Sequence, residues 1–409
     1  MYRFLFSLLI ITTSTQAATL KESFEAARLN MESIKRAEQG IEQREEQKDR
    51  ARGALLPTIN GFASYTRIDP PAVSGLNAFT LTKQHSVGVR LTQPLIRGGV
   101  WSALNLAQDN ILLARFQKDA TDLNLYQLVI NAYYNLKIIQ TDVKNISKYL
   151  SYSKDRVAEI RERTKIGRSR KGELVEAEAQ FYIVEAQYKQ GLIDLVRFEK
   201  NFEFLTGLKP QEISALDDVP SVNGSLETYL SKLKSRPDLL AAQQQVKAAN
   251  QQIDIAKAGH YPNLDLVGNY YIDRTGVLAT SEWDLGLVLS VPFYQGGSVL
   301  AATREAVATK RISELTAHET IRSAERDLSL AFQNYTQIKD QLKSQENALV
   351  KSEEAYKLNK KDYQYGLVTN LDVLQTLNVY IQNKRSYDTL YAMAHMTYKN
   401  LEAATGVLP

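Results

Sequence analysis

The sequence predicts an α+β membrane protein: a β-barrel shared between chains, continuous with a long α-helical coiled-coil barrel and built on an internal two-fold sequence repeat. Three observations predict it. The chain is written twice, its strands have membrane-spanning length and alternation, and its helices are far too long for a compact globule. Pro57, Gly167 and Thr206-Gly207 in the first half return as Pro262, Gly366 and Thr405-Gly406 in the second, roughly 200 residues further on. Each copy reads helix, two alternating strands, a very long helix, a glycine-containing turn and another long helix. The expected organisation is a signal peptide at 1–17, a first repeat at 18–209, a linker at 210–231 and a second repeat at 232–409.

The N-terminus sets the address. Arg3 supplies a short positive region, Phe4 to Ile11 an apolar one, and Thr12 to Ala17 ends in Thr-Gln-Ala before Ala18. That is the layout of a signal peptide, so the mature chain is expected to be exported. No other run approaches the roughly 18 apolar residues of a membrane helix. Residence in a membrane therefore requires a β-barrel, the other fold that satisfies its backbone in lipid.

Composition narrows the function. Charged residues make up 23% of the 409 and the net charge is +4, a near-balance that argues against a nucleic-acid partner. The absence of cysteine excludes a disulfide framework, a Cys-based zinc site and a lipidated N-terminal cysteine. The four histidines, His85, His260, His318 and His395, form no metal-binding spacing, and no phosphate loop or nucleophile elbow is present. No enzyme, catalytic residue, metal or cofactor is expected. A hydrolase on an α/β scaffold would alternate its strands with helices of about 10–15 residues.

The first strand pair is expected at 57–69 and 86–96, the second at 262–273 and 281–294. Ile59, Gly61, Ala63 and Tyr65 share one face, as do Val87, Val89 and Leu91, Leu264, Leu266, Gly268 and Tyr270, and Leu285, Leu287 and Leu289. Alternation over about 9–11 residues suits a strand with lipid on one side and a polar lumen on the other. Tyr65, Tyr270 and Trp283 fit aromatic girdles at the headgroup level. Both pairs leave through proline and two glycines, Pro94 with Gly98 and Gly99, then Pro292 with Gly296 and Gly297. Proline is poorly tolerated in a ladder and glycine accepts unusual backbone angles, so a sharp strand-to-helix exit is expected at each. Four strands cannot close a barrel whose smallest common form has about eight. An open edge in lipid costs several kcal/mol per unpaired backbone group, so the barrel must be shared between chains.

The helices are expected at about 99–166, 172–206, 297–365 and 370–405. The first would be about 100 Å long at 1.5 Å per residue. Leu125, Val129, Ala132, Leu136, Ile139, Val143, Ile146 and Leu150 keep the 3/4 spacing of a heptad seam. Leu328, Ala331, Tyr335, Ile338, Leu342 and Leu349 repeat it, and Leu174, Ala177, Phe181, Val184, Tyr188, Leu195, Phe198 and Phe202 carry it on the returning helix. The alternative is a periplasmic coiled-coil scaffold without a membrane barrel, with soluble hairpins between its helices.

This arrangement resembles the TolC-like outer membrane efflux proteins, the outer membrane factors of Gram-negative tripartite exporters. The resemblance spans residues 18 to 409 and rests on the duplication, the Pro-x-x-x-Gly-Gly exits, Arg236-Pro237-Asp238-Leu239 opening the second copy, and the Thr-Gly helix ends. It implies a homotrimer giving four strands per chain to a roughly 12-stranded barrel in outer membrane lipid, with helices forming a tunnel through the periplasm. It also implies a passive exit duct docked by a periplasmic adaptor protein and an inner-membrane pump of RND or ABC type. The cargo is left open between small-molecule efflux and type I protein secretion. The resemblance also implies that residues 210–231 form part of the belt around the tunnel's middle.

The resemblance places the periplasmic mouth at the two helix-to-helix turns. In the second, Gly366 permits the reversal, and Asp372 complements the positive end of the next helix; the resemblance implies that it also faces the pore. In a symmetric trimer such a carboxylate becomes a ring that favours cations. The family archetype carries a second acid where this chain has Gln375, and a basic residue where it has Val368. Glu173 occupies the position matching Asp372, so Glu173, Asp372 and Gln375 are the candidate gate. The adaptor is expected at Gly167, Arg168, Arg170 and Lys171 in the first turn and Gly366, Leu367, Val368 and Thr369 in the second. The basic residues suit an acidic partner.

Overall fold

The computed structural model describes residues 19–67, 83–209, 212–222, 224–275 and 279–409. The signal peptide at 1–17, the far end of the first strand at 68–69 and Pro210 of the linker lie outside the described residues. The helices are α1 (Leu20–Asn30), α2 (Glu32–Gly53), α3 (Gly98–Lys165), α4 (Lys171–Thr206), α5 (Leu226–Lys232), α6 (Pro237–Lys257), α7 (Ser298–Gln364) and α8 (Asn370–Ala404). The strands are β1 (Thr58–Arg67), β2 (Lys83–Arg97), β3 (Asn263–Arg274) and β4 (Trp283–Ser290). Among the described residues no helix is long and apolar enough to cross a membrane.

The chain divides into two compact units. One comprises Lys35–Ala120 and Pro237–Ser323 and carries the sheet. Its strands run antiparallel in the order β1-β2-β3-β4, so the central pair joins the two halves of the chain. Alternation explains the faces. Ile59 pairs with Leu91 and Gly61 with Val89; Val89 pairs with Tyr270 and Leu91 with Gly268; Tyr270 pairs with Trp283 and Leu264 with Leu289. The apolar set of every strand therefore shares one face, which is solvent-exposed over most of β4 and at Ile59, Tyr65 and Tyr270. The opposite face is polar and bonded across strands: Arg90 Nε donates to Asn269 at 2.8 Å, and Asn269 Nδ2 donates to Asp284 at 2.7 Å. Tyr271 also donates to Asp284, at 2.8 Å. The outer edges of β1 and β4 meet no strand among the described residues.

The two strand exits differ in geometry. β2 does not stop at Pro94 but runs on to Arg97, with a register shift between Pro94 and Ile96 that absorbs the missing donor. Gly98 and Gly99 then open α3 in ordinary helical geometry. Gly98 is needed for space, because a Cβ there would stand 2.5 Å from Cδ2 of Tyr261. In the second copy β4 ends at Ser290, two residues before Pro292, and the chain is irregular to Gln295. There Gly296 and Gly297 do supply the expected angles, with φ of +60° and +80° in open space.

The other unit comprises the described residues of Met1–Ile34, Thr121–Arg236 and Ala324–Pro409. α1 begins in a capping box, Glu22 N–H to Thr19 Oγ1 and Thr19 N–H to Glu22 Oε2. It buries Phe24 and Ala27 against Tyr126, Val129, Ile130 and Phe202 of α3 and α4. The Phe24 and Tyr126 rings sit 5.0 Å apart. Every residue of the three heptad seams is buried or half-buried. The Thr-Gly ends close the long helices in parallel ways. Gly207, at φ +71°, ends α4, and Asn30 Nδ2 donates to the Phe204 carbonyl. Gly406, at φ +89°, follows α8, and Arg236 Nη1 donates to the Ala404 carbonyl.

Candidate functional site

The α3–α4 and α7–α8 turns have the same backbone chemistry. At the first, Gly167 takes φ +76° and Arg168 N–H reaches back to the Arg163 carbonyl at 2.8 Å. At the second, Gly366 takes φ +75° and Leu367 N–H reaches the Asp362 carbonyl at 3.0 Å. Both are glycine-led helix stops that satisfy a last-turn carbonyl by a backward bond.

The helix starts that follow are not alike. Thr369 caps α8 and forms a full capping box with Asp372: Thr369 N–H donates to Asp372 Oδ2 at 2.8 Å, and Asp372 N–H donates to Thr369 Oγ1 at 3.4 Å. The Thr369 hydroxyl and backbone hold the Asp372 carboxyl below its ordinary pKa. Arg170 stands at the cap of α4 without a side-chain bond, and the Glu173 carboxylate instead accepts from Ser169 Oγ. Both acids are half-buried, whereas Gln375 is exposed. Gln375 shares its open stripe with Leu371 and Val379, each one helical turn away. Arg168, Arg170 and Lys171 are exposed, as are Leu367 and Thr369, while Val368 is half-buried.

Above the turns, α3 and α8 are joined by polar pairs that the sequence reading missed. Arg385 grips Asp142 with two bonds, Asn145 donates to Asp388 at 2.7 Å, Tyr149 bonds Asn378, and Arg156 Nε donates to Asn370 Oδ1 at 2.9 Å. Asp142, Tyr149 and Arg156 recur every seven residues on α3. That heptad recurrence was the available signal, and it lay hidden because only the apolar seam beside it was read. Tyr363 of α7 lies beneath Arg156 and Arg163, whose guanidinium carbons are 4.2 and 4.9 Å from its ring centre. The turn residues and the Arg156 cluster belong to one compact unit, as α3, α7 and α8 converge there. Among the described residues no group of His, Asp or Glu is placed to hold a metal.

A four-stranded antiparallel sheet with one apolar face, leading into helices of 68 and 67 residues that reverse through glycine turns, defines the class of outer membrane channel proteins. Residues 24–207 and 229–407 match the family model described as outer membrane efflux protein, and the chain belongs to that family. It is an export channel of the cell outer membrane. It is 25% identical over 358 residues to the outer membrane protein TolC of Vibrio cholerae, covering 83% of this chain and 80% of that one. It is also 25% identical to the proteases secretion protein PrtF of Dickeya chrysanthemi, covering 97% and 89%. The crystal structure of the outer membrane protein VceC from Vibrio cholerae superposes with a TM-score of 0.81 at 20% identity, covering 96% and 97%. That likeness establishes the fold.

Proposed function

We propose that the chain is the passive exit duct of a tripartite exporter, assembled as a homotrimer. Three copies of the four-stranded sheet make a closed barrel of about 12 strands. The observation that carries this reading is the pair of open edges at β1 and β4, beside a continuous apolar face. In lipid each unpaired edge group is costly, and pairing β4 of one protomer with β1 of the next removes both edges at once. The apolar face then meets lipid, and the Arg90–Asn269–Asp284 row lines the lumen. The two halves of the chain act as structural repeats, and no catalysis takes place in the duct.

The helix turns form the periplasmic mouth. Glu173, Asp372 and Gln375 face the constricted pore, with Leu371 and Gln375 on the open stripe and Asp372 tied into its cap. Arg168, Arg170 and Lys171 present an exposed basic turn to an acidic adaptor tip, and Gly366 to Thr369 form the corresponding uncharged turn. An inner-membrane pump of RND or ABC type drives the cargo. Relatives named for solvent or toluene efflux and for protease secretion support both cargo classes for this architecture. Deletion of the gene, followed by comparison of toxin sensitivity with the secretome, tests the reading. Loss of either export class supports it. Wild-type behaviour in both, with the chain recovered as a soluble periplasmic monomer, would support the coiled-coil scaffold instead.

A further inference from the structure

The last rung of the α3–α8 seam is left with two donors that meet no acceptor among the described residues. Arg156 Nη2 and Asn370 Nδ2 are shut off from solvent and meet no hydrogen-bond partner among the described residues. Asn370 is fully buried, and the Arg156 side chain is only 10% exposed. The amide cannot be turned to relieve this. Its oxygen accepts the 2.9 Å bond from Arg156 Nε, and reversal would set the amide NH₂ against that N–H. Both orphaned atoms can only donate. A water accepting from both would need two acceptors of its own, whereas a halide needs none.

The charged neighbours are close to balance, so the case for an anion rests on the two donors. Arg156 and Arg163 share one carboxylate, Glu159, at 2.7 and 2.9 Å. The adjoining cavity of about 250 Å³ is lined by Arg156 and Lys360 with Asp155 and Glu159, so the two carboxylates leave the orphaned donors themselves without an acceptor. Asn370 is also the first residue of α8, whose end favours negative charge and already holds the Asp372 carboxylate in its capping box. We propose that Arg156 and Asn370 form a binding site for a small monovalent inorganic anion of chloride type, which pins the first turn of α8 to α3. The ion completes the seam at the position where α8 leaves the turn, so the order of that turn depends on halide. The site stands on the geometry of one protomer and does not require the duct reading.

Full-length protein purified in detergent, with bromide as the probe, tests this. Crystals soaked in sodium bromide are expected to show an anomalous peak between Arg156 Nη2 and Asn370 Nδ2. Amides in the first turn of α8 are expected to exchange about tenfold more slowly in bromide at ten times its Kd than in gluconate of equal ionic strength. Asn370→Asp places the negative charge on the protein itself, and it is expected to keep the fold while abolishing both signals. Arg156→Gln serves as the second variant. An ordered water or a neighbouring side chain at the position with no anomalous signal overturns the proposal. So does a bromide effect that persists in both variants.

Discussion

Arg385 of α8 holds Asp142 of α3 through two hydrogen bonds, 2.6 Å from Nε to Oδ1 and 2.9 Å from Nη2 to Oδ2. Both side chains are about four-fifths buried, and the Arg385 pKa is raised, first by the bond to Asp142. A forked pair of this kind fixes distance and rotation together. It therefore sets the register between a helix from the first half of the chain and one from the second. Asp142→Asn leaves a cation short of its counter-charge, so we expect a loss of about 1–3 kcal/mol, read as faster hydrogen exchange along α8. The exchanged pair Asp142→Arg with Arg385→Asp is expected to recover part of it, and full additivity of the two single losses would contradict the coupling.

Gly207 and Gly366 share a left-handed backbone but not their surroundings. A Cβ at Gly366 meets open space, while one at Gly207 would stand 3.0 Å from Asn30 Oδ1. Gly366→Ala is expected to cost about 1–2 kcal/mol, the strain of the angle alone. Gly207→Ala is expected to cost more, because it also displaces the amide that caps α4. Denaturation monitored by far-ultraviolet circular dichroism ranks the two, and the reverse order would refute the account of that helix end.

At the strand exits, Gly98→Ala is expected to disturb the start of α3 by about 1–3 kcal/mol through overpacking on Tyr261. Tyr261→Ala in the same chain should relieve it. Gly296→Ala carries only backbone strain, and no side-chain substitution is expected to rescue it. Equal rescue at both positions would mean that the two exits are the same device after all.

Asp372 gives the α8 start a definite pH dependence. Its carboxyl is held below the ordinary value by Thr369, so the capped turn prefers the ionised form. The stabilisation is complete above the ordinary carboxylate pKa of about 4. It is lost as pH falls through the lowered folded value. Amides of the first turn of α8 are expected to lose protection over that acid range in the wild type. In Asp372→Asn they should be less protected at neutral pH and insensitive to acid there; an unchanged profile would remove Asp372 from the cap.

Much of this was legible in the sequence, for reasons that particular residues show. The in/out phase of Ile59, Val89, Leu266 and Leu287 is set by a two-residue period, and the registers place them on one face. The seam from Leu125 to Leu150 follows from heptad spacing. Gly167 and Gly366 were readable because only glycine suits that angle. The exits were not, since Pro-x-x-x-Gly-Gly is compatible with a bulged strand or with an irregular turn, and Tyr261, whose ring a Cβ at Gly98 would meet, lies far along the chain. Arg156 and Asn370 lie 214 residues apart, and no local pattern joins them.

Charge reversal at Arg168, Arg170 and Lys171 is expected to lower adaptor cross-linking and export together, with the wild-type interaction weakening as salt rises. Cross-linking and export that stay at wild-type level would take the basic turn out of the docking surface.

The shared barrel rests on β1 meeting β4 of another chain, and cysteine cross-linking in the outer membrane tests that contact directly. The chain has no cysteine of its own, so pairs with one member at Asn60, Phe62 or Ser64 and the other at Asp284, Gly286 or Val288 report without background. At the register that places two of them opposite, an oxidant-dependent covalent trimer is expected from the outer membrane fraction. Only monomers at every pair, with the protein recovered from the soluble periplasm, would contradict it.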